Sequence, residues 1–429
     1  MKVMLVGSGG REHGVASKLA ESPFVSDMLA VPGNSGIAEE QLQNGRYVQC
    51  KEVLDLKPET LLAMARVFKP DLTVIGPEAP LVAGVVDLFE AVGFKIVGPN
   101  KKAAQFEGSK AFTQLFMEKY GIPCPRGIVA STFSEAHFAA ADTFGNRAVL
   151  KADGLASGKG AFPCENATEC MVAAHRILEK REFGEEACRK AVVQEFLDGE
   201  EASMHFLCDG VNAVLFQSSK DHKRLTAHWK SPMTGGMGVI SPVPNLDSRI
   251  FEEEAQTIIL PFLDGCAKEG IDYRGILYPG VMRTKEGIKV LEFNCRLGDP
   301  ETASYLTRLE KDLFELLLAS TERGGLKGKT LVWKPETALT VVLAARGYPE
   351  NPGKGMLITG IDEANKVPGV KVFHSGTKRI GTELRVNGGR VLEITALGSD
   401  LKEAQSRARE AIERIYFEGM QYRSDLLGM

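Results

Sequence analysis

The first hundred residues repeat one local plan, and that plan restricts the fold more than any other feature of the chain. A short apolar run ends in a glycine-containing loop, and a helix-forming stretch follows. Residues 2–6 are such a run, Gly7-Ser8-Gly9-Gly10 is the loop, and residues 11–19 have helical character. Residues 28–31 then end in Pro32-Gly33-Asn34, residues 71–75 in Gly76-Pro77-Glu78, and residues 95–97 in Gly98-Pro99-Asn100. The pattern predicts helices over 61–68 and 82–92. Strands alternating with helices in this way build an open parallel sheet. Ligands of such sheets gather at the carboxyl ends of the strands. Asn34, Glu78 and Asn100 all fall at those ends.

The first loop alone has two explanations. Strand, tight turn and helix leave free N–H groups where an anion can sit. A dinucleotide fingerprint would need glycine at position 12, which is Glu12, and no acidic residue follows the second run to hold a ribose. This counts against an NAD(P)-dependent oxidoreductase. Phosphate binding and a purely structural turn stay level on these residues.

At 429 residues the chain is too long for one core, so several domains are expected. A net charge of −4 without a basic tail argues against a nucleic-acid surface, so an anionic substrate must be held by local cations and backbone amides. No apolar run approaches the ~18 residues of a membrane span. The N-terminus is broken by glycine too early for a signal peptide. The eight cysteines show no C-x-x-C, and the seven histidines no H-x-x-x-H, so a reduced, cytoplasmic protein without zinc is the simplest account.

Pro123 and Pro125 mark a boundary after a helix expected over 109–120, which begins Ser109-Lys110. A strand over 148–151 leads into Ala152-Asp153-Gly154-Leu155-Ala156-Ser157-Gly158-Lys159-Gly160. This is not a Walker A loop: Gly154 and Gly158 are one residue too close, and Gly160 stands where Ser or Thr should hold Mg²⁺. It remains a small-residue loop able to lie close over phosphates, although on these residues alone a flexible hairpin is the favoured reading. A helix is expected over 171–180, with strands over 191–196, 204–208 and 213–216. The cluster 220–224 reads by default as a solvated loop, and Thr234-Gly235-Gly236-Met237-Gly238 is a second glycine loop.

Residues 287–302, GIKVLEFNCRLGDPET, open as a strand. Alternation puts Glu292, Asn294 and Arg296 on one face and Leu291, Phe293 and Cys295 on the other. Glu292 and Asn294 offer hard oxygen ligands for Mg²⁺, and Arg296 offers a planar fork for carboxylate or phosphate. The plain alternative is a salt bridge from Glu292 to Arg296. Beyond Gly324, Gly325 and Gly328 the chain becomes strand-rich, over 338–344, 371–374, 384–386 and 391–395, and closes with an amphipathic helix over 400–415. The fold class is therefore α/β and α+β multidomain: an N-terminal open parallel domain (1–102), a central body (103–325) and a C-terminal α+β domain (329–429).

The ordered motifs carry a resemblance. Gly9-Gly10-Arg11-Glu12-His13, Pro32-Gly33-Asn34, Gly76-Pro77-Glu78 and Gly98-Pro99-Asn100-Lys101 come first. Residues 151–156, Asp221-His222-Lys223-Arg224, residues 234–238 and the run from Glu292 to Thr302 follow in one order. The series resembles the glycinamide ribonucleotide synthetase family, ATP-grasp ligases that join glycine to 5-phosphoribosylamine in purine biosynthesis. The resemblance implies an ATP-grasp fold in which a preATP-grasp domain precedes two subdomains that clamp ATP, with a lid over about 123–190. It implies ATP and Mg²⁺ or Mn²⁺, and an acyl phosphate of glycine. Lys110 and Lys151 would hold phosphates under a loop from Asp153 and Gly154 through Ser157 and Gly158 to Gly160. Gln194, Glu195, Phe196 and Leu197 would form the adenine hinge through backbone groups, with Glu201 at the ribose. Glu292 and Asn294 would ligate the metal, and Arg296 and Asp221 would orient glycine or its acyl phosphate. Gly9, Gly10, Arg11, Asn34 and Glu78 would take phosphoribosylamine. A monomer or weak homodimer is expected, with no nucleic-acid or membrane partner. The sequence departs from the family pattern at Gly14, Ser231, Met233, Pro279 and Ala303.

Overall fold

The computed structural model describes residues 1–156, 159–228 and 230–429. The N-terminal run of βα units folds into a five-stranded parallel sheet. Its order is Gln49–Cys50, Asp27–Pro32, Lys2–Gly7, Leu72–Ile75, Ile96–Val97. The order reverses between Lys2–Gly7 and Leu72–Ile75, so the loops after these two strands flank the switch point where such sheets bind ligands. Val3 and Leu5 enter one core, with Val15, Leu19 and Tyr305, while Met4 and Val6 enter another, with Leu61 and Phe89. Both faces are covered, which is why these strands read as continuous apolar runs.

Two helices of this domain carry features that the sequence pattern did not show. Residues 82–92 form two short helices, Glu78–Ala83 and Val85–Glu90, because Gly84 turns the backbone to φ +93° between them. Gly10–Ala20 is helical as expected but buried on every side, including Arg11, Glu12, His13 and Lys18. The sheet, the helix Glu301–Arg308 and the strand Val370–His374 enclose it.

Two antiparallel sheets follow. The first has four strands in the order Gly127–Ala130, Ala191–Glu195, Ala148–Ala152, Ala161–Cys164. It packs on Phe133–Phe138 and Ala167–Ala174, each of which runs on into a π-helical turn. The helix expected over 171–180 thus starts earlier and widens at His175–Glu179. The second has five strands, with Arg274–Thr284 flanked by Glu200–Ser203 and Phe206–Asp209, and Gly287–Asn294 pairing with it. Its core gathers Phe106, Phe116, Phe262 and Phe293. The long helix Ser248–Lys268 starts at Asp247, whose carboxylate caps the first turn.

A register shift between Gly280 and Val281 sets Glu292 opposite Gly280 but Val290 opposite Val281, leaving Leu291 as the extra residue of a bulge. Ile288 and Val290 before the bulge and Phe293 and Cys295 after it all enter the core. Leu291 does not join Phe293 and Cys295 there; it lines the cleft. The expected alternation holds only from Glu292 onward.

The C-terminal sheet borrows strands from the centre. Its order is Lys220–Asp221, Gly238–Ser241, Thr337–Ala344, Arg390–Gly398, Val370–His374, all antiparallel. Leu401–Arg414 packs on it after an N-cap at Asp400. Both glycine-loop flanks, at Asp221 and Gly238, are thereby fixed by a sheet whose other strands lie a hundred residues on. Among the described residues no helix is long and apolar enough to cross a membrane, and the eight cysteines are free thiols.

Candidate active site

The three sheets and the parallel sheet meet around one cleft of about 480 Å³. Its floor is the strand end with Glu292 and Asn294, its roof carries Lys151, and its far wall carries Arg11 and Glu78 from the parallel sheet's switch point.

The roof is built by local hydrogen bonds. Lys110 opens the helix Lys110–Tyr120 after the N-cap Ser109. Asp153 does not turn its carboxylate to the cleft; its Oδ1 accepts from Ser109 Oγ and from the N–H of Ala111, both at 2.8 Å. It therefore fixes the helix start that aims Lys110. The Nζ of Lys110 donates to the Gly154 carbonyl at 3.3 Å. Gly154 packs so closely that a Cβ would stand 2.7 Å from Ala187 Cα. Gly160 lines the cleft, whereas Ser157 and Gly158 lie outside the described residues. Lys151 donates to the Leu291 carbonyl at 2.8 Å. Burial pulls its ammonium down to about 8, against the pull of Glu292 and with the push of Lys110.

Gln194 lines the cleft and donates to Gln114 Oε1 at 2.7 Å. The next side chains point elsewhere. Glu195 pairs with Arg126 and Lys289, and Phe196 lies under the Arg147 guanidinium at 4.1 Å. Glu195, Phe196 and Leu197 do not line the cleft. Glu201 sends its negative charge toward Lys151 and Lys223.

On the floor, no donor among the described residues hydrogen-bonds the Glu292 carboxylate. Burial pushes its acid strength down, but Lys151, Lys110, Lys223 and Arg296 more than offset that and hold it ionised. Asn294 presents Oδ1 to the same side. An unpartnered carboxylate beside an amide oxygen, facing cations and open space, fits a hard divalent ion completed by phosphate and water oxygens. The alternative Glu292–Arg296 bridge is not made. Arg296 instead reaches Glu107 at 3.3 Å and Glu78 at 3.6 Å, and donates to Asn294 Oδ1 at 3.2 Å.

The cluster at 220–224 is not a freely solvated loop: Asp221 is buried and its neighbours are half-buried. Asp221 and Lys223 both line the cleft, with Lys223 Nζ 3.9 Å from Asp221 Oδ2. Asp221 Oδ1 is buried without a donor, and burial together with Glu301 pushes its carboxyl well up. Gly236, at φ +120°, lets the second glycine loop lie on Asp221; a Cβ there would stand 2.8 Å from Oδ1.

The far wall departs most from expectation. Arg11 and Glu78 reach the cleft, but Gly9 spends its N–H on Glu12 Oε2 at 2.6 Å. Gly10 packs against the Glu393 carboxyl. Asn34 is not brought to the cleft: it donates to the carbonyls of Ser8 and His374 and accepts from Gly36 and Ile37. All its hydrogen-bonding capacity is used in a joint between the first and last parts of the chain.

Sequence reasoning missed Lys223, Asp299, Glu301 and Arg390, which also line the cleft. Asp299 and Glu301 were visible as the acidic residues after Arg296. Arg390 carried no local signal, because it enters from a strand nearly a hundred residues downstream.

Family profiles match nearly all of the chain. The phosphoribosylglycinamide synthetase N domain matches residues 1–107, its ATP-grasp (A) domain residues 108–302, and its C domain residues 338–427. The chain belongs to the phosphoribosylglycinamide synthetase family. A phosphoribosylamine–glycine ligase of Ralstonia nicotianae is 44% identical over 99% of this chain and 98% of its own length. That of Escherichia coli K12 is likewise 44% identical, over 99% and 98%. The crystal structure of phosphoribosylamine–glycine ligase from Thermotoga maritima superposes with a TM-score of 0.82 at 32% identity, covering 99% of this chain and all of that one. The biotin carboxylase domain of Hydrogenobacter thermophilus 2-oxoglutarate carboxylase, solved with MgADP and bicarbonate, shares the fold at a TM-score of 0.73 and 16% identity, over 98% and 91%. Family members are ATP-grasp ligases, and the cleft described above lies between the sheets that define that fold.

Proposed function

We propose that this chain ligates glycine to 5-phosphoribosylamine, cleaving ATP to ADP and phosphate, through a glycyl phosphate. The supporting observation is one cleft that sets Lys110 and Lys151, the strand end with Glu292 and Asn294, and the switch-point wall with Arg11 and Glu78 around one volume, in a chain that matches the family over nearly all of its length.

A carboxylate is a poor acyl donor, so a glycine oxygen first attacks the γ-phosphorus and ADP leaves. The amine nitrogen then attacks the activated carbonyl, and phosphate leaves. Phosphoryl transfer is mostly positioning and charge neutralisation. Lys110 and Lys151 hold ATP phosphates, and main-chain groups of residues 194–197 hold adenine, with Glu201 at the ribose. Glu292 and Asn294 would hold Mg²⁺ or Mn²⁺, which would neutralise charge on the phosphate oxygens. Arg296, braced by Glu78 and Glu107, and Asp221 orient glycine. Arg11 and Glu78 form the phosphoribosylamine side. The same reading takes residues 1–102, 103–325 and 329–429 as domains, with 123–190 as lid, and places a monomer or weak homodimer in the cytoplasm.

The test is ADP release from ATP, Mg²⁺ and glycine, with and without freshly generated phosphoribosylamine, and product identification by mass. ADP and glycinamide ribonucleotide in equal amounts, requiring both substrates, is the expected result. ADP with some other acid or amine would discard these substrates, and no ADP under any combination would discard the reaction.

A further inference from the structure

We propose that Asp299 takes the proton released by phosphoribosylamine as its nitrogen attacks glycyl phosphate, with Glu393 as its hydrogen-bonded, protonated support from the C-terminal sheet. The inference deepens the ligase reading and rests on it.

Asp299 stands where the parts of the cleft meet. Its Oδ2 pairs with Arg390 at 3.0 Å and lies 3.4 Å from the place a Cβ on Gly9 would occupy. It thus borders the turn that carries the phosphoribosylamine side, while lining the same cleft as Glu292. Arg390 also donates to the carbonyls of Asp299 and Gly235, at 2.8 and 2.9 Å, which fixes the loop.

Behind Asp299 is Glu393, fully buried in the strand Arg390–Gly398. Its Oε1 accepts from Ser375 Oγ at 2.6 Å, and a Cβ on Gly10 would run into it. Both carboxyls crowd the Gly9-Gly10 turn, Asp299 Oδ2 at Gly9 and Glu393 Oε1 at Gly10, and each acts on the other's proton. Glu393 Oε2 and Asp299 Oδ1 have no other donor. Two carboxyls can hydrogen-bond only if one carries a proton. Burial and the Asp299 charge push Glu393 well up, so the proton sits there. Burial also acts on Asp299, but Arg390, Arg11 and Arg296, with the Glu393 hydrogen bond, bring it down. One carboxylate stays charged and one stays acid, as in other sites where paired carboxyls divide their roles.

The step balances. The amine lone pair forms the C–N bond, and the carbonyl π electrons move to oxygen. Their return breaks the bond from carbon to the phosphate oxygen, and phosphate leaves with that electron pair. The nitrogen, now cationic and far more acidic than the free amine, gives one proton to Asp299. That proton passes to water when products leave.

Hydroxylamine separates this role from acyl phosphate formation. It traps glycyl phosphate as the hydroxamate, and its adduct is acidic enough to lose the proton to water unaided. In Asp299→Asn, glycinamide ribonucleotide formation should fall on the order of a hundred-fold or more, while hydroxamate formation with ATP and glycine stays within a few-fold. Glu393→Gln keeps a donor toward Asp299 and should retain most of the ligation that Glu393→Ala loses. Equal loss of both reactions in Asp299→Asn, or loss of neither, overturns the proposal, as does failure of Glu393→Gln to exceed Glu393→Ala. No hydroxamate from the unsubstituted chain overturns the acyl phosphate reading, and this proposal with it.

Discussion

The ammonium of Lys151 donates to the main-chain carbonyl of Leu291, the bulged residue next to Glu292, at 2.8 Å. A bulge leaves a backbone group out of the ladder, and here that group holds the roof lysine over the floor carboxylate. Burial lowers Lys151 to about 8, so a good part of it is neutral at pH 8–9 in the ligand-free chain. A bound triphosphate raises it again. ATP binding at pH 8.5 should therefore take up a fraction of one proton, and at pH 6.5 almost none. Calorimetry in buffers of different ionisation enthalpy measures this directly, and equal uptake at both pH values would place the phosphates elsewhere. Lys151→Ala should abolish the difference and raise the ATP requirement.

Glu292→Ala should eliminate turnover and leave the fold intact, because no donor is orphaned by its removal. Since Glu292 supports the Lys151 charge, the same change should move Lys151 below about 8. Circular dichroism and ADP release across a Mg²⁺ titration check the first claim. Near-normal turnover at saturating Mg²⁺ would remove Glu292 from the metal site.

Gly36 is a tight point where the N-terminal part meets the C-terminal strand Val370–His374. A Cβ there would overlap the His13 ring and stand 2.6 Å from that of His374. Those rings are held: the main-chain N–H of His374 donates to His13 Nδ1 at 2.7 Å, His13 Nε2 lies 3.1 Å from Glu40, and His374 Nδ1 lies 3.0 Å from Thr377 Oγ1. Gly36→Ala should cost about 1–3 kcal/mol, the usual range for overpacking. An unchanged denaturation midpoint in urea would mean that this joint does not hold the two parts together.

Acid should destabilise the chain earlier than carboxylates alone would allow. Burial lowers His205 and His374 to about 3 and His222 to about 4. Each has a folded value below its unfolded value of about 6.5. Their contribution is complete above pH 6.5 and is lost as pH falls toward 4, where the unfolded chain binds protons that the folded one refuses. Each group sets a slope of about 1.4 kcal/mol per pH unit. Glu40, held at about 2 against burial by His13 and Lys371, adds a further loss below about pH 4.5. Urea titrations at pH 7, 6 and 5 should show falling stability throughout, and a flat response from 7 to 5 would contradict the burial of these rings.

Much of the architecture was legible locally. The parallel sheet followed from apolar runs ending in glycine loops, and the shared polar face of Glu292 and Asn294 followed from residue type and alternation, because both are properties of neighbours in the chain; Lys151 was singled out only through the family resemblance. The ordered motifs identified the family for the same reason. What the sequence could not supply was partnership over long separations. Whether Asp221 and Lys223 face water or the cleft depends on a sheet completed by residues 337–398. Asn34 reads as a ligand at a strand end, and becomes a joint only because His374 lies beside it. Arg390 and Glu393 enter the site from a distant strand, and no local pattern marks them. Even the strand of Glu292 kept its phase only past the bulge at Leu291, which is decided by the pairing with Gly280. Local chemistry determined which groups the chain owns, and long-range packing determined which of them meet.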